Sequence, residues 1–165
     1  MSQRQPKYEI VCSDSFNSQG STYRRIRALR DFGSVRKGDL GGYVEFSWNL
    51  SHDGIAWVAD NAIVGDDANV AGNAWVGENA RICGSAHIFG NARISGRALI
   101  SDGRVCGNAK VDGRANIRGA AYVAGTAEIG GIACIIGHTT VTAGTYTTGV
   151  FARYNEKRFL TPPAP

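Results

Sequence analysis

The fold is decided by residues 70–94, which read VAGNAWVGENARICGSAHIFGNARI. A β-branched residue occupies every sixth position of this stretch, at Val70, Val76, Ile82, Ile88 and Ile94. An alanine stands two residues before each of them, and a glycine usually stands two residues after. This spacing predicts a short strand followed by a tight turn, because alternate strand residues share one face and glycine accepts a positive φ.

The six-residue period runs from Val58 to Val141, with one shorter step of five between Ile100 and Val105. All fifteen positions of the series hold Val or Ile, and a glycine stands two residues after ten of them. No α-helix has this period, and a β-sandwich would not keep it so strictly. Three hexapeptides make a triangular coil. The sequence therefore predicts an all-β protein, a parallel β-helix of about five coils stacked ~4.8 Å apart.

The two ends of the chain lack the repeat and are expected to cap the coils. Residues 1–44 form the predicted N-terminal β cap, where strand-like stretches at 8–12 and 23–29 flank a polar segment and indicate a β-hairpin. The hexapeptide-repeat domain spans residues 45–143. Residues 144–165 lose the period, and three of the four prolines fall in the last four residues, which indicates a C-terminal cap and tail.

Composition excludes several classes of protein. The chain has 165 residues, 43% of them hydrophobic and 19% charged, which is enough for a core and excludes wholesale disorder. The longest apolar run, 132–136, is too short to cross a bilayer, and the first residues lack the apolar segment of a secretory signal. The four cysteines share no C-x-x-C spacing, so we expect reduced thiols in a cytoplasmic protein.

The segment before the repeat carries a family resemblance. It reads YRRIRALRDFG at 23–33 and KGDLGGYVE at 37–45, followed by NLS at 49–51 and AWV at 56–58. Together with the Gly-Asn-Ala-x-Val repeats, these motifs resemble the YdcK-like hexapeptide-repeat proteins of enterobacterial and phage or prophage genomes. The resemblance implies a left-handed β-helix. Some members are called acyltransferases on fold grounds alone, and the resemblance brings no catalytic residues.

Charge is segregated along the chain. Residues 1–37 contain eight Lys and Arg and three Asp and Glu, a net charge of +5. Residues 38–80 contain no Lys or Arg and seven Asp and Glu, a net charge of −7. Residues 81–119 contain seven Lys and Arg and two Asp and Glu, a net charge of +5. Two interpretations stay open: a solvated surface that prevents rods from stacking, or complementarity to a partner or between subunits. The net charge of +4 is too diffuse to indicate nucleic acid, which is disfavoured as a partner.

The outward side chains of successive coils are expected to stack in three ladders. The middle residue of each hexapeptide belongs to one of these ladders. The first ladder contains Trp57, Trp75, Arg93, Lys110 and Glu128, and the second contains Ile63, Arg81, Leu99, Asn116 and Cys134. The third contains Asn69, His87, Arg104, Tyr122 and Thr140. Trp57 above Trp75 predicts an exposed aromatic stack that serves as an oligomer interface or packs under the N-terminal hairpin, with a ligand platform as a further alternative. A homo-oligomer is expected, and the family resemblance together with the triangular coil favours a trimer.

Basic residues of the middle coils form the candidate ligand- or partner-binding site. Counting by coils places four cations together, and such a cluster suits phosphate, carboxylate or the acidic coils of a neighbour. These cations are Arg93, Arg97, Lys110 and Arg114. A second ladder combines a titratable ring, a cation and a stacking surface in His87, Arg104 and Tyr122.

No catalytic residue, cofactor or metal is expected. A hexapeptide acyltransferase needs a base near a cofactor groove, usually with a loop that interrupts the coils, and here the only irregularity is a deletion. His52, His87 and His138 lie at unrelated coil positions, which argues against a three-histidine zinc site. We expect a non-enzymatic, phage-type binding protein, a candidate inhibitor or sponge in phage–host conflict, that binds a host protein or a small anionic ligand. The alternatives are an acyltransferase-like enzyme and a purely structural assembly module.

Overall fold

A computed structural model describes residues 5–153 of the chain. These residues form parallel stacked coils, a β-solenoid of about six turns, with a three-residue 3-10 helix at Ser47–Asn49 as the one described helix. The predicted all-β parallel β-helix is therefore confirmed. No helix in the described part of the chain is long and apolar enough to span a membrane.

Three long strands form the N-terminal part of the fold: β1 (Tyr8–Ser18), β2 (Ser21–Ala28) and β3 (Leu40–Val44). The predicted hairpin is present, because β1 pairs antiparallel with β2 through a two-residue turn at Gln19 and Gly20. Both turn residues have a positive φ, 51° and 86°, as the tightest hairpin turns require. β2 pairs antiparallel with β3, so the hairpin extends one sheet of the solenoid past its first coil.

The remaining strands are short and form the three faces of the solenoid. Face 1 continues from β3 with β5 (Ile63–Val64), β8 (Arg81–Cys83), β11 (Leu99–Ser101), β14 (Asn116–Arg118), β17 (Cys134–Gly137) and β20 (Val150–Arg153). Face 2 consists of β4 (Trp57–Val58), β7 (Trp75–Val76), β10 (Arg93–Ile94), β13 (Lys110–Val111), β16 (Glu128–Ile129) and β19 (Thr145–Tyr146). Face 3 consists of β6 (Asn69–Val70), β9 (His87–Ile88), β12 (Arg104–Val105), β15 (Tyr122–Val123) and β18 (Thr140–Val141).

The solenoid is longer than the hexapeptide repeat. β3 lies within the range 1–44 that the sequence assigns to the cap, yet it pairs in parallel with β5 as the first strand of face 1. β19 and β20 lie beyond residue 143 and continue faces 2 and 1 by pairing with β16 and β17. Because of these additional strands, the solenoid has about six turns instead of the five that the repeat predicts.

The core consists of the residues that define the period. Each of the fifteen Val and Ile positions is at most 1% exposed, which confirms the predicted register. Burial of one such side chain contributes about 1.5–3 kcal/mol, so the stacked columns are the main source of stability. The alanines two residues earlier are buried with them, from Ala56 through Ala133.

The step of five residues between Ile100 and Val105 is a tightened corner. β11 pairs with both β8 and β14, and β12 pairs with both β9 and β15, so the sheets continue on either side of it. Asp102 lies at the corner with φ +64°. The prediction of one tightened corner rather than a break is confirmed.

Candidate functional site

The three predicted ladders exist in the expected register. On face 2, Trp57, Trp75, Arg93, Lys110 and Glu128 are paired in succession. On face 1, the series is Ile63, Arg81, Leu99, Asn116 and Cys134. On face 3, it is Asn69, His87, Arg104, Tyr122 and Thr140.

The two tryptophans of face 2 differ in exposure. Trp57 is only 2% exposed, because Phe32 of the N-terminal segment packs against it edge to face at a centroid distance of 5.3 Å. The expectation of an exposed Trp57 is wrong: Phe32, in the segment between β2 and β3, covers this residue. Trp75 is half-buried and keeps part of its indole accessible.

Trp75 lies in a groove along face 2. One part, a cavity of about 290 Å³, is lined by residues 33–35, Ile55, Asn73, Trp75 and Arg93. The next part, about 330 Å³, is lined by Ile55, Asn73, Asn91, Arg93, Asn108 and Lys110. We call the two together the face-2 groove, since Ile55, Asn73 and Arg93 line both.

One wall of the face-2 groove is a ladder of asparagines. The Asn73 side-chain amide donates to Oδ1 of Asn91 at 3.1 Å, and the Asn91 amide donates to Oδ1 of Asn108 at 3.0 Å. Each follows a glycine with a positive φ, which turns the chain at the corner between faces 3 and 2. Among residues 5–153 no side chain or carbonyl accepts from the Asn108 amide, so it remains a donor for groups in the groove.

The two cations of the groove differ in their partners. Lys110 Nζ lies 2.9 Å from Oε1 of Glu128 in the next coil. The hydrogen bond and positive charge of Lys110 lower the pKa of the Glu128 carboxyl. Arg93 is exposed, and within the described residues its guanidinium has no hydrogen-bond or ion-pair partner. Arg93 is therefore the cation best placed to bind an anion in the groove.

The four predicted cations share coils but do not all line the groove. Arg97 and Arg114 lie in successive turns, where the Arg97 N–H donates to the Gly113 carbonyl at 2.6 Å. Their turns connect face 2 to face 1, whereas the asparagine ladder lies at the corner between faces 3 and 2. The width of face 2 therefore separates these two arginines from the groove wall.

The second candidate set lies together on face 3. His87 and Arg104 are exposed and Tyr122 is half-buried. Cys106 Sγ lies 3.2 Å from the Tyr122 hydroxyl, and the hydrogen bond between them, together with the charge of the Cys106 sulfur, raises the pKa of Tyr122. Neither part of the face-2 groove includes these three residues.

Metal chemistry has no candidate site in residues 5–153, where no group of three or more His, Cys, Asp or Glu is placed to hold an ion. His52 stacks on Tyr8 at a centroid distance of 4.3 Å, whereas His87 lies on face 3. All four cysteines are free, as predicted.

The sequence reasoning missed the asparagine ladder and the part played by Ile55. The sequence contains a signal for the ladder, because Gly-Asn pairs recur at 72–73, 90–91 and 107–108. Taken alone, such pairs predict turns and not contacts between asparagine side chains. Ile55 and residues 33–35 lie outside the period, so coil counting could not place them beside the groove.

The chain was also compared with known proteins. A scan against protein-family models gives no match, and a search of curated proteins gives no significant match. The YdcK-like resemblance therefore stays a prediction from the motifs quoted above.

Proposed function

We propose that the protein is a non-enzymatic binding protein whose face-2 groove takes a small anionic ligand. The observation that carries this proposal is Arg93: an exposed guanidinium without a partner in the described residues, between the half-buried Trp75 and the asparagine amides. A guanidinium binds phosphate and carboxylate through two parallel hydrogen bonds, which suits a compact anion.

The other groove residues add complementary chemistry. The Asn108 amide offers a further hydrogen bond, while Trp75 and Ile55 offer apolar surface to the body of the ligand. The Lys110 ammonium adds positive charge, although its pairing with Glu128 reduces its pull on an incoming anion. We infer a ligand with an anionic group at Arg93 and an apolar or aromatic part toward Trp75.

Binding without catalysis suits the residues that line the groove. They include no histidine and no carboxylate, the usual general bases, so the acyltransferase alternative has no base among them. The resemblance to phage and prophage proteins favours an inhibitor or sponge in the cytoplasm that captures a small anion or an acidic site on a host protein. A purely structural assembly module remains the third alternative, and a homo-oligomer is compatible with each.

Thermal unfolding with added anions tests the proposal. Pyrophosphate, a mononucleotide and acetyl-CoA would each be titrated at low and high salt, since a true ligand stabilises the folded state by mass action and an anionic one binds less well in salt. The Arg93→Glu variant should lose the stabilisation. The Arg118→Glu variant is a matched control, because Arg118 is an exposed arginine on face 1.

Three outcomes separate the alternatives. Stabilisation that Arg93→Glu abolishes and Arg118→Glu retains supports the groove. Absence of stabilisation by all three anions, or equal stabilisation of both variants, contradicts it. Turnover of acetyl-CoA with an acceptor amine or alcohol would favour the enzyme, and formation of filaments without ligand response would favour the assembly module.

A further inference from the structure

A second cavity lies where the N-terminal segment meets the first coil. Its volume is about 550 Å³, larger than either part of the face-2 groove. The residues before β1, the residues that follow β2 and the turn that precedes β4 meet here. The lining residues are Gln5, Pro6, Arg30, His52, Asp53 and Gly54. We call this space the N-terminal cavity, and none of these residues lines the face-2 groove.

Two contacts fix the ring of His52 at the N-terminal cavity. The backbone N–H of Lys7 donates to Nδ1 of His52 at 3.1 Å, and the ring stacks on Tyr8 at a centroid distance of 4.3 Å. Because Nδ1 accepts a hydrogen bond, the neutral ring carries its proton on Nε2. Among the described residues nothing accepts from this Nε2–H, so it is a donor available to a ligand.

Arg30 supplies the cation that lines the cavity. The residue is half-buried, and its Cζ lies 6.0 Å from the centre of the Phe32 ring. Within residues 5–153 the Arg30 guanidinium forms no hydrogen bond or ion pair. Its N–H groups can only donate, so they also remain for a ligand.

The charges around the cavity attract an anion. Burial lowers the pKa of His52, and the positive charges of Lys7 and Arg30 lower it further. The Asp53 carboxylate acts in the opposite direction and has the smallest effect of the four. The potential at the ring is therefore positive even with Asp53 present. Since one carboxylate already belongs to the lining, an anion of a single charge suits the cavity better than a phosphate dianion.

We propose that the N-terminal cavity binds the carboxylate group of a small molecule, which accepts hydrogen bonds from the Arg30 guanidinium and from Nε2–H of His52. A guanidinium matches a planar carboxylate through two parallel hydrogen bonds, and the imidazole adds a third donor. The carboxylate fills only part of the cavity, so the rest of the molecule packs beside Pro6 and Gly54. This site is separate from the face-2 groove and does not rest on the function proposed for it.

Nuclear magnetic resonance with two matched probes tests the site. Benzoate carries a carboxylate where benzamide carries a neutral amide, so a comparison of the two isolates the charge. The chain has three histidines, and the ring signal of His52 is identified by its loss in the His52→Asn variant. Benzoate should shift this signal in a saturable manner and leave the signals of His87 and His138 in place. Benzamide should shift none of the three.

Substitutions of the two donors test their roles, with binding followed through the backbone N–H signal of Gly54. Arg30→Gln removes the guanidinium and should weaken benzoate binding at least about tenfold. His52→Asn keeps an acceptor for the Lys7 N–H but removes the Nε2 donor, and should weaken binding about three- to tenfold. The control is Arg36→Gln, an exposed arginine of the same segment that does not line the cavity, and it should bind as wild type does. Circular dichroism checks that the variants fold.

The outcomes decide the proposal. Saturable binding of benzoate that Arg30→Gln weakens and Arg36→Gln retains supports the site. Equal shifts with benzoate and benzamide, no shift of His52 with benzoate, or unchanged affinity in both Arg30→Gln and His52→Asn would overturn it. The comparison of the probes uses the wild-type protein, so it holds even if a variant does not fold.

The two sites can fail independently. The Arg93→Glu variant should retain the shift of the His52 signal by benzoate, whereas Arg30→Gln should retain the stabilisation by pyrophosphate that the face-2 groove predicts. Failure of the N-terminal cavity and failure of the groove are therefore distinguishable.

Discussion

The carboxylate of Asp102 accepts a hydrogen bond from the backbone N–H of Ser85 in the preceding coil, at 2.8 Å. At the corners between faces 3 and 2 and between faces 2 and 1, the equivalent N–H donates to a backbone carbonyl of the next coil, as Asn73 does to Gly90 at 2.8 Å. At the corner that follows face 1, Ser85 donates instead to the Asp102 side chain, which serves as the acceptor between these two coils.

Substitution of Asp102 tests this role. Asn keeps both an acceptor and a tolerance of positive φ, so Asp102→Asn should be nearly neutral. Gly accepts the φ of +64° but loses the acceptor, and Ala loses both, so we expect Asp102→Ala to be the most destabilising, by about 1–3 kcal/mol. Urea denaturation measures the free energy of unfolding of the three variants. Equal stability of the Ala and Asn variants would contradict the proposed role of Asp102.

The same corner explains an exception in the repeat. Gly103 stands where thirteen of the fifteen hexapeptides have alanine. A Cβ at Gly103 would lie 2.7 Å from Cγ2 of Ile117, closer than carbon atoms pack. The tightened turn thus brings the backbone too near the neighbouring coil for a methyl group.

We expect Gly103→Ala to cost about 1–3 kcal/mol through overpacking. In an Ile117→Ala background the colliding methyl is absent, so the same substitution should cost much less. A double-mutant cycle by chemical denaturation measures this coupling. Additive effects of the two substitutions would show that the contact with Ile117 is not the cause. Ala86→Gly, at the same position of a regular coil, is the opposite change and should destabilise through lost packing.

Core columns in the middle of the solenoid should be sensitive to truncation. Ile94 is fully buried, and Ile94→Ala should lower the free energy of unfolding by about 2–5 kcal/mol through lost burial and the remaining cavity. Val150→Ala is the control, because that residue is 67% exposed and should change stability by less than about 0.5 kcal/mol. Thermal or urea unfolding checks both, and a similar loss in the two variants would contradict the assigned core.

The periodic part of the molecule could be predicted from the sequence because each hexapeptide repeats the same local physics. Counting by coils placed Arg93 beside Lys110 across the deletion, although the offset there changes from eighteen to seventeen residues. The aperiodic part could not be placed in this way. Trp57 is buried because Phe32 packs against it, and Ile55 lines the face-2 groove. Neither Phe32 nor Ile55 belongs to the six-residue pattern, so coil counting does not place them.

The N-terminal segment contains a buried lysine. Lys7 is fully buried; its Nζ donates to the Ala56 carbonyl at 2.8 Å and lies 5.2 Å from the centre of the Phe32 ring. Burial is the main reason that the Lys7 pKa falls from 10.5 to about 8, and the positive charge of Arg30 lowers it further. The Asp53 carboxylate acts in the opposite direction without cancelling the effect.

This lowered pKa predicts that Lys7 contributes a rise in stability with pH between about 8 and 10, opposed by Cys83, whose pKa is raised by burial. In that window Lys7 of the unfolded chain still holds its proton while the folded form has released it, so raising the pH favours the folded state. Tyr8 sets the upper limit: burial raises its pKa to about 12, so ionisation of the unfolded tyrosine lowers stability above pH 10.

Lys7→Met removes the lysine titration, and the variant should lose the rise even if its stability differs at every pH. Urea unfolding of both proteins at pH 7, 8, 9 and 10 measures the two slopes. Parallel slopes would mean that Lys7 titrates alike in the folded and unfolded chains, and the buried ammonium would then not be the source of the pH dependence.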